Sequence, residues 1–206
     1  MVSSTIGSAL PLQNRVFPTG EIVAHPARGT FMGNRGGRIH TDARTLAKPR
    51  WKSKQWIICT LQFKGRHREV MGEGYTELFF LDEPTALAAG HRPCFECRRR
   101  QAIEFATAFP LAGRARAPEI DACLHTERRR APRRGSMKSL PDGAMIRAQD
   151  ILLKWRGKAL VWSPEGYRNA LPIPDGDALI LTPESTCIAL ANGYCTAPHP
   201  SANALI

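Results

Sequence analysis

Apolar residues fall along this chain in short clusters, cut apart by Pro, Gly and charged positions, so the pattern predicts many brief elements and no long helix. Trp56-Ile57-Ile58-Cys59-Thr60-Leu61-Gln62-Phe63 is β-branched and aromatic and predicts a strand. Lys64-Gly65-Arg66 is a turn signal, with further strands expected at 68–71 and 76–81, which together make a small antiparallel sheet. Asp82-Glu83-Pro84 then reads as a helix start, with Asp82 as cap and Pro84 in the first turn. That helix, 85–89, stops at Gly90, a suitable residue to follow a helix end. Ala102, Phe105, Ala106 and Phe109 recur at helical spacing and predict a helix over 98–109.

Beyond a stretch rich in Arg and Pro, short β-like runs return at 144–147, 151–155, 159–162 and 178–181. Arg156-Gly157-Lys158 is a hairpin turn between two of them, and Thr182-Pro183-Glu184 opens a last helix that ends at Gly193. Residues 1–30 read as an irregular lead-in. The fold class expected is α+β, in three parts. An α+β domain spans 1–110, a basic linker 111–139, and a small β-rich α+β unit 140–206.

Composition narrows the class. The chain has 206 residues, 43% hydrophobic and 23% charged, as expected of a globular protein. No apolar run approaches the roughly 20 residues that span a bilayer, and Met1-Val2-Ser3-Ser4-Thr5-Ile6 lacks the features of a secretory signal. A cytoplasmic protein without a membrane partner is the expectation.

Charge changes the picture more. The formal net charge is +11, which draws a chain toward polyanions, nucleic acid first among them. Arg98, Arg99 and Arg100 open a predicted helix, where each positive charge costs a few tenths of a kcal/mol against the helix dipole, so an anion nearby would offset them. Arg128, Arg129 and Arg130 begin a second basic cluster that runs to Arg134. Trp155, Trp162 and Tyr167 have either bases or the core as partners. The glycine-rich segment 31–50 has neither a Walker nor a dinucleotide spacing and reads as a turn, with a phosphate nest as the alternative.

Six cysteines, at 59, 94, 97, 123, 187 and 195, raise the question of disulfides. Without an export signal, the pair Cys94-Phe95-Glu96-Cys97 reads instead as half of a structural zinc site. A Cys-x-x-Cys turn sets two sulfurs at the right distance for tetrahedral zinc. Pro93 stiffens the approach, and Cys97 leads into the next helix, where the positive dipole end favours thiolate.

The segment from Phe79-Phe80-Leu81-Asp82-Glu83-Pro84 through Gly90-His91-Arg92-Pro93-Cys94-Phe95-Glu96-Cys97-Arg98 resembles the second half of the Ada-type metal-binding domain and of related zinc modules attached to nucleases. The resemblance covers residues 79–98, and it implies a treble-clef-like zinc knuckle, Zn2+ as cofactor and a link to DNA repair or processing. The Cys-x-x-x-Cys that completes the Ada-type site is missing, and with it the alkyl-accepting cysteine. In the nuclease-associated modules a His is followed four residues later by Cys, whereas here His40 is followed by Arg44. His40, Cys59, His67 and Cys123 therefore compete for the remaining ligand places. Cys59 stands first and His40 second, because the family draws its other ligands from upstream. His91 stands where the family has an aromatic residue and is assigned to packing.

Three functional readings follow. The first is a zinc-binding, nucleic-acid-associated protein, with DNA ahead of RNA. The second is a nucleic-acid-processing enzyme using His40, Asp42 and Glu73, with Arg38 beside them. The third is a structural zinc module with a protein or small-molecule partner. Arg66-His67-Arg68-Glu69 reads as a solvated turn, and Cys123 with His125 and Glu127 as a further, weaker cluster.

Overall fold

Local chemistry sets the short elements, and pairing between distant segments gathers them into two sheets. The computed structural model describes residues 10–66 and 69–206. The first sheet holds β1 (Gln13–Val16), β2 (Ile22–Ala24), β3 (Phe31–Asn34), β4 (Ile57–Cys59), β5 (Leu78–Phe80) and β6 (Arg92–Pro93). Its strand order is β2-β1-β5-β3-β4-β6. It is mixed rather than purely antiparallel, since β1 runs parallel to β5 and β4 parallel to β6. Gly33 allows β3 to close on β4, because a Cβ there would lie 2.0 Å from the Ile57 carbonyl oxygen. The expected lead-in thus contains two strands, whose pairing satisfies backbone groups that a loose coil would leave to water. The strand expected at 68–71 falls partly outside the described residues.

Helix α1 (Glu83–Ala88) begins as its sequence predicts, with Asp82 accepting the Thr85 N–H at 3.0 Å. Gly90 follows its end at φ +81°, a left-handed conformation that glycine adopts without strain. Helix α2 (Arg99–Ala108) buries Ala102, Phe105 and Ala106. Residues 111–139 are not a linker: they carry α3 (Ala117–Glu127), which buries Ile120 and Leu124, and β7 (Arg133–Ser136). The second sheet adds β8 (Met145–Arg147), β9 (Ile151–Trp155), β10 (Lys158–Ser163), β11 (Gly166–Leu171) and β12 (Asp177–Ile180). Its order is β11-β10-β9-β8-β12-β7, with every pair antiparallel. Helices α4 (Glu184–Ala191) and α5 (Pro200–Asn203) close the chain. No helix among the described residues is long and apolar enough to cross a membrane.

The architecture is mixed α+β, with two six-stranded sheets and five α-helices among the described residues. One buried cluster takes Phe80 and Leu87 from the first sheet and α1, Phe105 and Ile120 from α2 and α3, and Ile146 and Tyr194 from the C-terminal part. Two adjacent acids fasten the parts together. Asp82, fully buried, accepts from Tyr167 Oη at 2.8 Å and from the His199 N–H at 2.9 Å. Glu83 meets Arg98 at 2.8 Å, Tyr194 Oη at 2.5 Å and the Ala197 N–H at 3.0 Å. A buried acid is tolerated only with such partners.

Candidate metal centre

Cys59 and Cys94 lie far apart in sequence, and the parallel pairing of β4 with β6 brings them side by side. Ile57 faces Arg92 and Ile58 faces Pro93, so the next step in register sets Cys59 against Cys94. The Cys94 N–H donates to the Ile58 carbonyl at 2.9 Å, which fixes that register at the cysteine itself. The chain then turns. The Glu96 N–H approaches Cys94 Sγ at 3.4 Å and the Arg98 N–H reaches the Cys94 carbonyl at 3.0 Å, carrying Cys97 back over the same point. The three sulfurs lie within 4.8 Å of one another. All three cysteines are free thiols.

Three thiols this close share their protons. Hydrogen bonds from Cys59 and Cys97 hold the Cys94 pKa far below that of an ordinary thiol. Its hydrogen bond to Cys94 raises that of Cys59. Such a trio can hold a metal ion, and thiolate donors favour soft or borderline metals over calcium or magnesium. Among the described residues no fourth His, Cys, Asp or Glu joins the group. A cavity of about 410 Å³ adjoins the sulfurs, with Glu77, Glu96 and Tyr75 in its walls. Glu77 accepts the Met71 N–H at 2.8 Å, and Glu96 pairs with Arg66 at 2.9 Å.

The other candidates for ligation lie elsewhere. His40 is buried away from the sulfurs, with Nδ1 2.6 Å from Thr76 Oγ1 and Nε2 2.9 Å from the Gly72 carbonyl. Both ring nitrogens are thus engaged within the protein. Cys123 is half-buried on α3, and His67 lies outside the described residues. His91 packs between Trp56 and Phe80, at ring distances of 5.0 and 4.7 Å. The catalytic trio proposed from sequence is not assembled. Asp42 is exposed and pairs with Arg38, Glu73 is exposed, and His40 faces inward.

The arginines divide by environment. Arg98 is 5% exposed and pairs with Glu83, so it is unavailable to an outside anion. Burial alone would lower its pKa, but the hydrogen bond and charge of Glu83 outweigh that and raise it. Arg99 and Arg100 are exposed at the start of α2. Arg128 lies half-buried over Trp56, 4.2 Å from the ring centre, while Arg129 and Arg130 are exposed. Gly90 makes room for Arg128: a Cβ there would lie 2.8 Å from its side-chain carbons. Trp162 and Tyr167 are core residues, bonded to Thr85 and Asp82, and are closed to base stacking. The turn at Gly36 is packed against Ser53, and Asn34 Oδ1 takes the Gly36 N–H at 2.9 Å.

Comparison with known protein families, with curated proteins and with solved structures finds no match to this chain.

Proposed function

We propose that this chain is a zinc-stabilised nucleic-acid-binding protein, with DNA as its first partner and a role in DNA repair or processing. The convergence of Cys59, Cys94 and Cys97 carries the reading. Tetrahedral zinc with bonds of about 2.3 Å to thiolate sets its sulfurs roughly 3.8 Å apart, a spacing the trio accommodates. Zinc held there would tie β4 to the start of α2. The net charge of +11 supports a polyanionic partner, and Arg99, Arg100, Arg129 and Arg130 are exposed cations available to phosphates.

The test has two parts. Purified chain is assayed for metal by mass spectrometry, with about one zinc expected. Replacing Cys59, Cys94 or Cys97 by Ser should release the zinc and cost several kcal/mol of stability, because binding and folding are coupled. Duplex and single-stranded DNA are then titrated at rising salt, and the affinity should fall linearly on logarithmic axes. A folded, metal-free wild-type protein refutes the zinc, and salt-insensitive or undetectable binding refutes the nucleic acid.

The cavity beside the sulfurs favours a second reading, an enzyme acting on nucleic acid. Metal centres with three protein ligands and an open position are the catalytic pattern. Cobalt-substituted protein whose visible spectrum shifts on adding a small anionic ligand would favour this reading over a closed structural site.

A further inference from the structure

A second cavity, of about 420 Å³, lies between the turn joining β1 to β2, the segment that follows α3, and the second sheet, within the size range of small-molecule sites. Arg128, Arg130, Arg133 and Arg147 line it, against two acids, Glu127 and Glu184. The acids are occupied in part. Glu127 accepts the Ser185 N–H at 3.0 Å and the Ser185 hydroxyl at 2.8 Å, and Glu184 stands 3.8 Å from Arg133. Arg130 and Arg147 are exposed and have no ion pair among the described residues.

The wall behind them is more positive still. Trp56 is clasped on its faces by two guanidinium groups, Arg35 at 3.9 Å and Arg128 at 4.2 Å from the ring centre. Neither arginine forms an ion pair among the described residues, although Asp121 and Glu127 lie near enough to Arg128 to act on its charge. Arg35, 2% exposed, gives a hydrogen bond to the Gly20 carbonyl at 2.7 Å; Arg128 gives two, to Gly90 and Lys54 carbonyls at 2.7 and 3.0 Å. Trp56 Nε1 is a buried donor with no acceptor among the described residues. Burial, and then the neighbouring charge of Arg128, lowers the Arg35 pKa to about 9, and burial lowers that of Arg128 to about 10. An unpaired buried cation costs stability that a bound anion recovers.

We propose that this cavity is a phosphate-binding site, with Arg128, Arg130, Arg133 and Arg147 as its donors. Planar guanidinium forks match phosphate oxygens in pairs, which is why arginine is favoured in such places. The clasp on Trp56 leaves its faces covered, so the site reads the phosphate and not a stacked base. The carrier, on the nucleic-acid reading above, is a terminal phosphate of a strand or a nucleotide. The phosphate site itself does not rest on that reading.

Calorimetric titration of the purified chain with pyrophosphate tests the site. A single-stranded oligonucleotide with and without a 5′-phosphate tests the carrier. Pyrophosphate should bind, and the Arg130→Gln, Arg147→Gln double variant should weaken it by about tenfold or more, since both lost groups are charge-assisted donors. Both residues are exposed, so the fold should survive, which circular dichroism checks. Glu184→Gln should tighten binding by releasing Arg133. No pyrophosphate binding, or binding indifferent to these substitutions, overturns the site even if DNA still binds in a salt-sensitive way. Pyrophosphate binding with no preference for the 5′-phosphate keeps the site and assigns it to free phosphate compounds. Failure of all DNA binding alongside intact pyrophosphate binding removes the nucleic-acid reading alone.

Discussion

Replacing Arg98 separates a structural cation from a contact surface. Its guanidinium and the Glu83 carboxylate are 5% and 1% exposed and lie 2.8 Å apart. At an effective dielectric constant near 20, their attraction is about 6 kcal/mol, most of which offsets the desolvation of both charges. Removing one partner leaves the other buried and uncompensated, a loss of about 3–5 kcal/mol. Glu83 retains Tyr194 Oη and the Ala197 N–H as donors, so Arg98→Met belongs at the lower end. Glu83→Ala leaves Arg98 stranded and also frees those two donors, so it belongs at the upper end. For a chain of this size a loss of about 3 kcal/mol lowers Tm by about 6–12 °C. Because both groups act as one unit, the double replacement should cost less than the sum of the single ones. Urea unfolding followed by tryptophan fluorescence measures these losses. DNA titration of Arg99→Gln, Arg100→Gln is the control: weaker salt-sensitive binding is expected with stability unchanged to within about 0.5 kcal/mol. The reasoning is refuted if Arg98→Met unfolds within about 1 kcal/mol of wild type yet abolishes DNA binding.

Two further predictions concern histidines. His40→Ala should leave the metal content unchanged while lowering stability by about 1–3 kcal/mol, because it strands buried groups at Thr76 and Gly72; metal analysis and urea unfolding on one preparation check both halves. His91 is buried, and desolvation, followed by the charges of Arg35 and Arg128, lowers its pKa well below the ordinary value. The unfolded chain therefore binds a proton there that the folded chain refuses. Stability should fall as pH drops below about 6.5, by up to about 1.4 kcal/mol per pH unit from this group. Comparing the wild type with His91→Leu at pH 7 and pH 5 isolates the effect, and equal losses in both proteins would refute it.

Where local chemistry decides an element, the sequence displays it. Asp82, Pro84 and Gly90 bound α1 because capping, fixed φ and left-handed freedom act within a few residues. The turn at Arg156 and Gly157, both at positive φ, joins β9 to β10 for the same reason. Elements held by distant partners are harder to read. The polar residues Asn14 and Arg15 interrupt the apolar pattern of β1, and its place in the sheet comes from pairing with β2 and β5. Helix α3 was hidden among basic residues, and its buried Asp121 broke the apolar face. That acid receives two bonds of 2.9 Å from Arg92, a residue of the first sheet.

The candidate site shows the same division. The turn from Cys94 to Cys97 is visible as spacing, but the place of Cys59 depends on a parallel register between β4 and β6, which β5 and α1 separate in sequence order. An anion was expected opposite Arg98 because cations are unfavourable at a helix start. The anion is there, but it is Glu83 of the same chain, at the first position of α1. An unfavourable local charge thus establishes that a counter-charge is needed, without saying whether it is internal or external. Tertiary structure settles that residue by residue: Arg98 and Arg92 pair with acids within the fold, whereas Arg130 and Arg147 converge on a cavity and form no ion pair among the described residues. For the second pair the argument from charge still points outward, and it is there that a bound anion has something to add.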